Sequence, residues 1–179
     1  MRLLVEDTIA ELPTKTITVQ TPCGKFKGSS TIPPIDKLCA VSIVRSGDAL
    51  LESIRECLPG IPIGKILIQR NEEEKTKPAK FFYSKLPKNV QDTDVIILCD
   101  PMLATGGSAS MAIRVLLDVG IKEDQIIFMN VICCPEGLKA LGESFPGVKI
   151  VTACVDECLN EQMFIVPGLG DYGDRFFNT

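Results

Sequence analysis

Short runs of apolar residues alternate along this chain with stretches in which apolar side chains recur every three or four positions. The first pattern is typical of buried β-strands and the second of amphipathic α-helices. Strands are predicted over 40–44, 65–69, 81–86, 95–99, 125–133 and 149–152. Helices are predicted over 2–12, 49–57, 110–119 and 136–145. This alternation predicts an α/β fold, with a largely parallel twisted sheet flanked by helices.

Two further patterns refine this outline. Residues 16–20 alternate β-branched and other side chains, turn at 22–24 and return through Phe26, which predicts a β-hairpin. Polar residues follow three of the predicted strands, directly after Val44, Gln69 and Cys99. In parallel sheets, ligands bind outside the carboxyl ends of the strands. These three strand ends are therefore the first place to look for a functional site.

Composition narrows the chemistry. The 179 residues include no histidine and carry a formal net charge of −4. The absence of histidine excludes imidazole acid–base catalysis, Ser-His-Asp triads and histidine-ligated metal sites within this chain. An acidic chain lacks the basic excess of a non-specific nucleic-acid binder, so we expect no nucleic-acid partner.

The cysteines and apolar runs indicate the compartment. Eight cysteines stand mostly among aliphatic residues, and none forms a Cys-x-x-Cys pair. They are therefore predicted to be core thiols rather than disulfides or zinc ligands. No signal-peptide pattern and no apolar run of roughly 18 residues is present, so we expect a cytoplasmic protein without a membrane partner.

The segment from 95 to 108 carries the strongest signal. A buried strand leads to Asp100, and the small residues Thr105, Gly106, Gly107 and Ser108 follow just before a predicted helix. Backbone N–H groups at a helix N-terminus bind phosphate, and glycines leave room for its approach. The order of residues matches neither a Walker loop nor a dinucleotide fingerprint. An ordinary glycine-rich strand–helix connection is the alternative at this point.

This segment resembles the phosphoribosyl pyrophosphate (PRPP) motif of type I phosphoribosyltransferases, in the Asp100-Pro101 variant typical of uracil phosphoribosyltransferases. Three other segments resemble that family in the same order along the chain. Arg45 and Arg70 stand where its members carry PRPP-binding arginines, and 164–175 resembles its uracil-binding segment. The resemblance covers essentially the whole chain. It implies a type I phosphoribosyltransferase fold with a β-hairpin arm and a C-terminal base-binding hood segment.

The implied activity is transfer of the phosphoribosyl group of PRPP to uracil, giving UMP and pyrophosphate. The implied catalytic residues are Asp100, Arg70 and Asp171. The implied PRPP contacts are Arg45, Arg70, Asp100, Pro101, Met102, Leu103, Ala104, Thr105, Gly106, Gly107, Ser108 and Asp171. The implied uracil contacts are Ile165, Gly170, Asp171 and Tyr172. Mg²⁺ is expected to be held by the substrate, without direct protein ligands.

The resemblance also sets expectations for organisation. Residues 1–179 are expected to form a single phosphoribosyltransferase domain that lacks an N-terminal helical segment of roughly thirty residues. A homodimer or tetramer, a GTP activator and a flexible loop at 71–78 that closes over the pyrophosphate are further expectations. Two alternatives stay open. One is a regulator of this fold that binds RNA or nucleotide, and the other is a non-catalytic partner domain, such as one half of a uridine kinase fusion.

Overall fold

In the computed structural model, which describes residues 1–30, 32–70 and 79–179, strands and helices alternate as predicted. In chain order the helices and strands are α1 (Arg2–Ala10), β1 (Lys15–Thr21), β2 (Gly24–Ser30), β3 (Leu38–Val44), α2 (Asp48–Cys57), β4 (Ile63–Arg70), β5 (Ala79–Lys85), β6 (Val95–Cys99), β7 (Met102–Leu103), α3 (Gly107–Asp118), β8 (Ile126–Cys133), α4 (Pro135–Ser144), β9 (Lys149–Val155), β10 (Cys158–Leu159), β11 (Ile165–Val166) and α5 (Tyr172–Phe177). Short 3₁₀ turns cover Ile35–Lys37, Val90–Asp92 and Glu123–Gln125.

The central sheet is largely parallel, which confirms the predicted fold class. In the described part of the chain, its strand order is β5-β4-β3-β6-β8-β7, and β9 also pairs with β8. Strand β3 runs parallel to both β4 and β6, and β8 runs parallel to β6, β7 and β9. Only β5 is antiparallel to its neighbour within this sheet as described. The carboxyl ends of β3, β4 and β6 therefore lie at one edge of the sheet.

Both faces of the sheet are buried because successive strand residues are apolar. Phe128 is fully buried on the face covered by α3 and α4, and Ile97 on the face covered by α1 and α2. A sheet covered on both faces produces continuous apolar runs rather than alternation. For this reason, the buried strands of this chain are uninterrupted aliphatic stretches in the sequence.

Four of the eight cysteines belong to this core. Cys39, Cys99, Cys133 and Cys134 are buried, and all eight thiols are free. Burial raises the pKa of the Cys39 thiol to about 12 and also raises the pKa of Cys99. Because a buried thiolate would be poorly solvated, these thiols stay protonated and pack as small apolar side chains.

The hairpin lies outside the central sheet. Strands β1 and β2 pair in antiparallel register from Lys15 opposite Ser30 to Thr21 opposite Gly24. Ile17, Val19 and Phe26 are exposed on it. None of the helices in the described ranges combines the length and the apolar composition needed to cross a bilayer.

The structure differs from the sequence prediction mainly around the loops. Helix α3 begins at Gly107, three residues before the predicted start. The prediction began too late because the small residues at the start of the helix show no apolar periodicity. Strands β7, β10 and β11 have two residues each, and α5 has six. Elements this short give no periodic signal. The predicted loop at 71–78 lies outside the described residues.

Candidate active site

The turn after β3 folds tightly against the end of β6. The Gly47 amide donates a hydrogen bond to the Ile43 carbonyl at 3.0 Å. A Cβ atom at Gly47 would stand 2.3 Å from the Cys99 carbonyl oxygen, so only glycine allows this approach. The close contact brings Arg45 and its neighbours to the strand end that carries Asp100. The peptide bond between Val44 and Arg45 is cis.

A hydrogen-bond network around Asp48, three residues after Arg45, connects the elements next to the same turn. The hydroxyl of Ser42, which is fully buried, donates to Asp48 Oδ1, and Lys65 Nζ lies 2.8 Å from Asp48 Oδ2. Asp48 is the first residue of α2, where a negative charge is favoured by the helix dipole. The network therefore ties β3, β4 and α2 together.

The segment after β6 is fixed to β8. The Asp100 amide donates to the Met129 carbonyl at 3.3 Å, and the Pro101 carbonyl accepts from the Val131 and Ile132 amides at 3.0 Å each. Strand β7 then continues the parallel pairing with β8, with Met102 opposite Ile132. Because these bonds hold the backbone on both sides of Asp100, the carboxylate leaves the sheet at a defined point.

The glycine-rich loop leads directly into α3. Gly106 has a positive φ of 81° and precedes the first helical residue, Gly107. Helix α4 packs behind the loop, because a Cβ at Gly137 would stand 2.4 Å from the Ala104 carbonyl oxygen. The N-terminus of a twelve-residue helix thus faces the sheet edge near Asp100, with a favourable dipole for an anion.

The C-terminal segment forms the opposite wall. Ile165 is buried in a small apolar cluster with Ala104, Ile132 and Cys134, which anchors β11 beside the glycine-rich loop. Beyond it, the peptide bond from Val166 to Pro167 is cis. The following turn, 168–171, lies beside the carboxyl ends of the strands, since Gly170 and Asp171 line the same cavity as Asp100.

Side chains hold that turn from three directions. The Gly168 amide donates to Asp156 Oδ2 at 2.8 Å, and Arg175 Nη1 donates to the Leu169 carbonyl at 2.8 Å. Asp171 Oδ1 accepts from the Asp174 amide at 2.9 Å and so caps α5. These three hydrogen bonds therefore connect the turn to Asp156 and to α5.

A cavity of about 700 Å³ lies between these segments. Nine of the predicted site residues line it: Arg45, Asp100, Met102, Ala104, Ser108, Ile165, Gly170, Asp171 and Tyr172. The structure thus brings together predicted residues from three segments that are far apart in the sequence. The volume of the cavity is in the range of small-molecule binding sites.

Five other predicted residues, Pro101, Leu103, Thr105, Gly106 and Gly107, belong to the same loop but do not line the cavity. Pro101 and Leu103 are buried beneath the loop, where the Leu103 carbonyl accepts from the Cys134 amide. Gly106 is also buried, whereas Thr105 and Gly107 are exposed on the loop without lining the cavity. The backbone of Arg70 ends β4, opposite Ala79.

Sequence reasoning did not assign several cavity residues. Ser46 and Gln69 adjoin predicted arginines, so their positions beside strand ends were a usable signal. Met163 has a positive φ of 65°, and Phe164 follows it. Nothing in their residue types indicated that they face a ligand.

The electrostatics of the cavity are set by a few groups. The Arg45 guanidinium donates to Asp174 Oδ1 at 2.8 Å and so lowers the pKa of that carboxyl group. Burial, with a smaller contribution from Glu52, raises the pKa of the Tyr172 phenol. The phenol is therefore neutral at physiological pH. The described residues include no group of three or more Cys, Asp or Glu side chains placed to hold a metal ion.

The sequence matches one family of known proteins over its whole length. A family model described as "Uracil phosphoribosyltransferase" matches residues 1–179. The chain is 46% identical over 178 residues to the uracil phosphoribosyltransferase of Saccharomyces cerevisiae, covering 99% of this chain and 80% of that protein. It is 44% identical over 180 residues to the Dictyostelium discoideum uracil phosphoribosyltransferase, covering 100% of this chain and 81% of that protein.

The fold has a counterpart among solved structures. The structure of the AQ2163 protein from Aquifex aeolicus matches with a TM-score of 0.80 at 33% identity, and the match covers 98% of this chain and 81% of that one. The family match and the two curated relatives each extend over practically every residue of the chain. This chain therefore belongs to the uracil phosphoribosyltransferase family.

Proposed function

We propose that this protein transfers the phosphoribosyl group of PRPP to uracil, producing UMP and pyrophosphate. The observation that carries the proposal is the single cavity lined by Asp100, Ala104, Ser108, Gly170 and Asp171. These residues come from an acidic strand end, a helix N-terminus and a glycine-rich turn. The acidic strand end suits a sugar diol, the helix N-terminus suits a phosphate, and the glycine-rich turn suits a planar base.

The helix N-terminus suits the 5′-phosphate. Gly107 and Ser108 begin α3, where backbone N–H groups lack partners within the helix. Their N–H groups, the Ser108 hydroxyl and the helix dipole together favour a dianion. Thr105, exposed on the same loop, adds a second hydroxyl within the segment that the family resemblance assigns to this phosphate.

The carboxylates suit the sugar and its metal ion. Asp100 is assigned to the ribose hydroxyls, because a carboxylate accepts hydrogen bonds from hydroxyl groups. Asp100 and Asp171 both line the cavity, and Mg²⁺ is usually bound by one or two carboxylates together with phosphate oxygens. The donor set therefore fits a Mg²⁺ ion that arrives with PRPP. That ion would neutralise part of the pyrophosphate charge.

The C-terminal turn suits uracil. The base presents two carbonyl acceptors and one imide N–H donor, which fixed backbone N–H and C=O groups can match. Gly170 allows close approach, and Ile165 and Tyr172 supply apolar surface. Cytosine would place an amine where uracil has a carbonyl. That mismatch would cost about 1–3 kcal/mol.

The proposed reaction needs no histidine. Uracil N1 forms a bond to C1′ as the bond from C1′ to the pyrophosphate oxygen breaks. The N1 proton passes to a positioned carboxylate or water. Arg45 and Arg70, from the family resemblance, stabilise the negative charge that develops on the leaving pyrophosphate.

The non-catalytic alternatives are not favoured. The two curated relatives described above, at 44% and 46% identity, are uracil phosphoribosyltransferases, and their matches extend over the whole chain. Asp100, Ala104 and Ser108, to which the proposed transfer assigns substrate contacts, line one cavity.

Further proposals rest on the family resemblance. They are a single domain over 1–179, a homodimer or tetramer, activation by GTP and a cytoplasmic location. Assembly has one structural support, the exposed apolar residues Ile17, Val19 and Phe26 on the β1–β2 hairpin. Sedimentation with and without GTP would test the assembly.

Pyrophosphate release tests the activity. The protein is incubated with PRPP, Mg²⁺ and one of uracil, cytosine, hypoxanthine or orotate. We expect pyrophosphate to be released only in the incubation that contains uracil. Asp100→Asn should lower turnover by a factor of ten or more while the thermal midpoint stays close to that of the wild type. Release with none of the four bases, or an Asp100→Asn variant of normal activity, would contradict the proposal.

A further inference from the structure

The Arg45 side chain is held by the C-terminal helix. Its Nη2 donates to Asp174 Oδ1 at 2.8 Å, and its Nη1 donates to Thr179 Oγ1 at 3.0 Å. The guanidinium carbon lies 5.1 Å from the centre of the Phe177 ring. A residue assigned to pyrophosphate is therefore already engaged by other residues of the same chain.

The two acceptors resemble the oxygens of a bound anion. Thr179 Oγ1 donates to Asp174 Oδ1, and the two atoms are 3.1 Å apart. They accept from the two terminal nitrogens of one guanidinium. A phosphate group typically binds arginine through two such parallel N–H bonds. Asp174 and Thr179 thus occupy donors that a phosphate group would use.

We propose that Asp174 competes with the pyrophosphate group of PRPP for the Arg45 guanidinium, so that pyrophosphate binding releases α5. This inference rests on the proposed function, because it assumes that Arg45 binds pyrophosphate. Asp174 does not itself contact the substrate in this scheme. Its effect on binding is exerted only through its competition for Arg45.

The ion pair can be displaced. The side chains of Arg45 and Asp174 are 47% and 55% exposed. Exposed ion pairs contribute little to stability, whereas pyrophosphate carries several negative charges. Removing the internal competitor should therefore tighten pyrophosphate binding by about two- to fivefold.

Release of α5 would reach the base-binding turn. Arg175, the neighbour of Asp174, donates to the Leu169 carbonyl, and Asp171 caps the same helix. The helix is thus bonded to the pyrophosphate-binding arginine on one side and to the uracil-binding turn on the other. Occupancy of one subsite consequently changes the affinity of the other, and by linkage the effect is reciprocal.

Calorimetric titration with magnesium pyrophosphate tests the competition. Asp174→Asn removes the charge at nearly constant size, and we expect its dissociation constant to be two- to fivefold lower than that of the wild type. An unchanged or higher constant would overturn the proposal, since a residue that merely orients Arg45 for the ligand would weaken binding when removed.

Glu143→Gln is the matched control for net charge. Glu143 lies on α4 in an exposed ion pair with Lys139, 3.9 Å away, and its loss changes the net charge equally. We expect no change in pyrophosphate affinity. If this control tightened binding as much as Asp174→Asn, long-range charge rather than competition would be the cause, and the proposal would be wrong.

Hydrogen exchange in the wild type provides an independent readout. Pyrophosphate should increase exchange of the amides within Tyr172–Phe177. Unchanged or slower exchange there would overturn release of the helix. The two hypotheses fail differently. Absence of UMP formation by the wild type refutes the proposed function, whereas an active wild type that fails these binding tests refutes the competition alone.

Discussion

Helix α4 touches the glycine-rich loop at Gly137, and this contact allows a sharp test of the loop's role. A Cβ at Gly137 would stand 2.4 Å from the Ala104 carbonyl oxygen and 2.7 Å from the Leu103 carbonyl oxygen. Ordinary contacts of a Cβ begin at 3.4 Å. In Gly137→Ala, the loop and the helix must therefore separate by about 1 Å.

The shift has two measurable consequences. Overpacking of this kind costs about 1–3 kcal/mol of stability. Displacement of a substrate-binding loop by about 1 Å can lower the rate by about 10²-fold. We expect kcat/KM for PRPP to fall by that order, because the loop carries the proposed 5′-phosphate site. Steady-state kinetics and thermal unfolding measure the two effects separately.

Gly142→Ala is the matched control on the same helix. Apart from its two chain neighbours and the backbone of its own helix, no described atom lies within 4 Å of the Cβ that this substitution adds. A helical Gly→Ala change without a clash stabilises by about 0.5–1 kcal/mol, so this variant should melt slightly higher and keep full activity. A Gly137→Ala variant with wild-type kcat/KM would refute the assigned role of the loop.

Two further predictions concern stability. The Leu159 amide donates to Glu136 Oε1 at 3.0 Å and lowers the pKa of that carboxyl group below its usual 4.5. Glu136→Gln should therefore have a lower melting temperature than the wild type at pH 7. The difference between the two melting temperatures should vanish as the pH falls from 4.5 through the lower folded-state pKa of Glu136. A difference that persists in acid would contradict this assignment. Phe128→Ala removes a fully buried ring and should cost about 3–5 kcal/mol in denaturant unfolding, and a loss below 1 kcal/mol would argue against the described core.

The fold was largely predictable because its main strands are buried on both faces. The run Val95–Cys99 is fully buried and was visible as an uninterrupted aliphatic stretch. The start of α3 was not predictable to the residue. It depends on the positive φ of Gly106, and glycine in a loop does not reveal which conformation it adopts.

The candidate site was predictable where it follows strand ends. Asp100 and Arg45 stand directly after buried runs, so their proximity follows from a parallel sheet. Met163 and Phe164 gave no such signal, because the hairpin β10–β11 that presents them has only two-residue strands. The engagement of Arg45 by Asp174 joins residues 129 positions apart, which no local pattern could indicate.

The most direct test of the central claim follows the new bond itself. Uracil labelled with ¹⁵N at N1 is incubated with PRPP, Mg²⁺ and the protein, and the products are examined by NMR and mass spectrometry. The account predicts labelled UMP in which N1 is bonded to C1′, formed in equal amount with pyrophosphate. Recovery of unchanged uracil, or pyrophosphate release without labelled UMP, would contradict it.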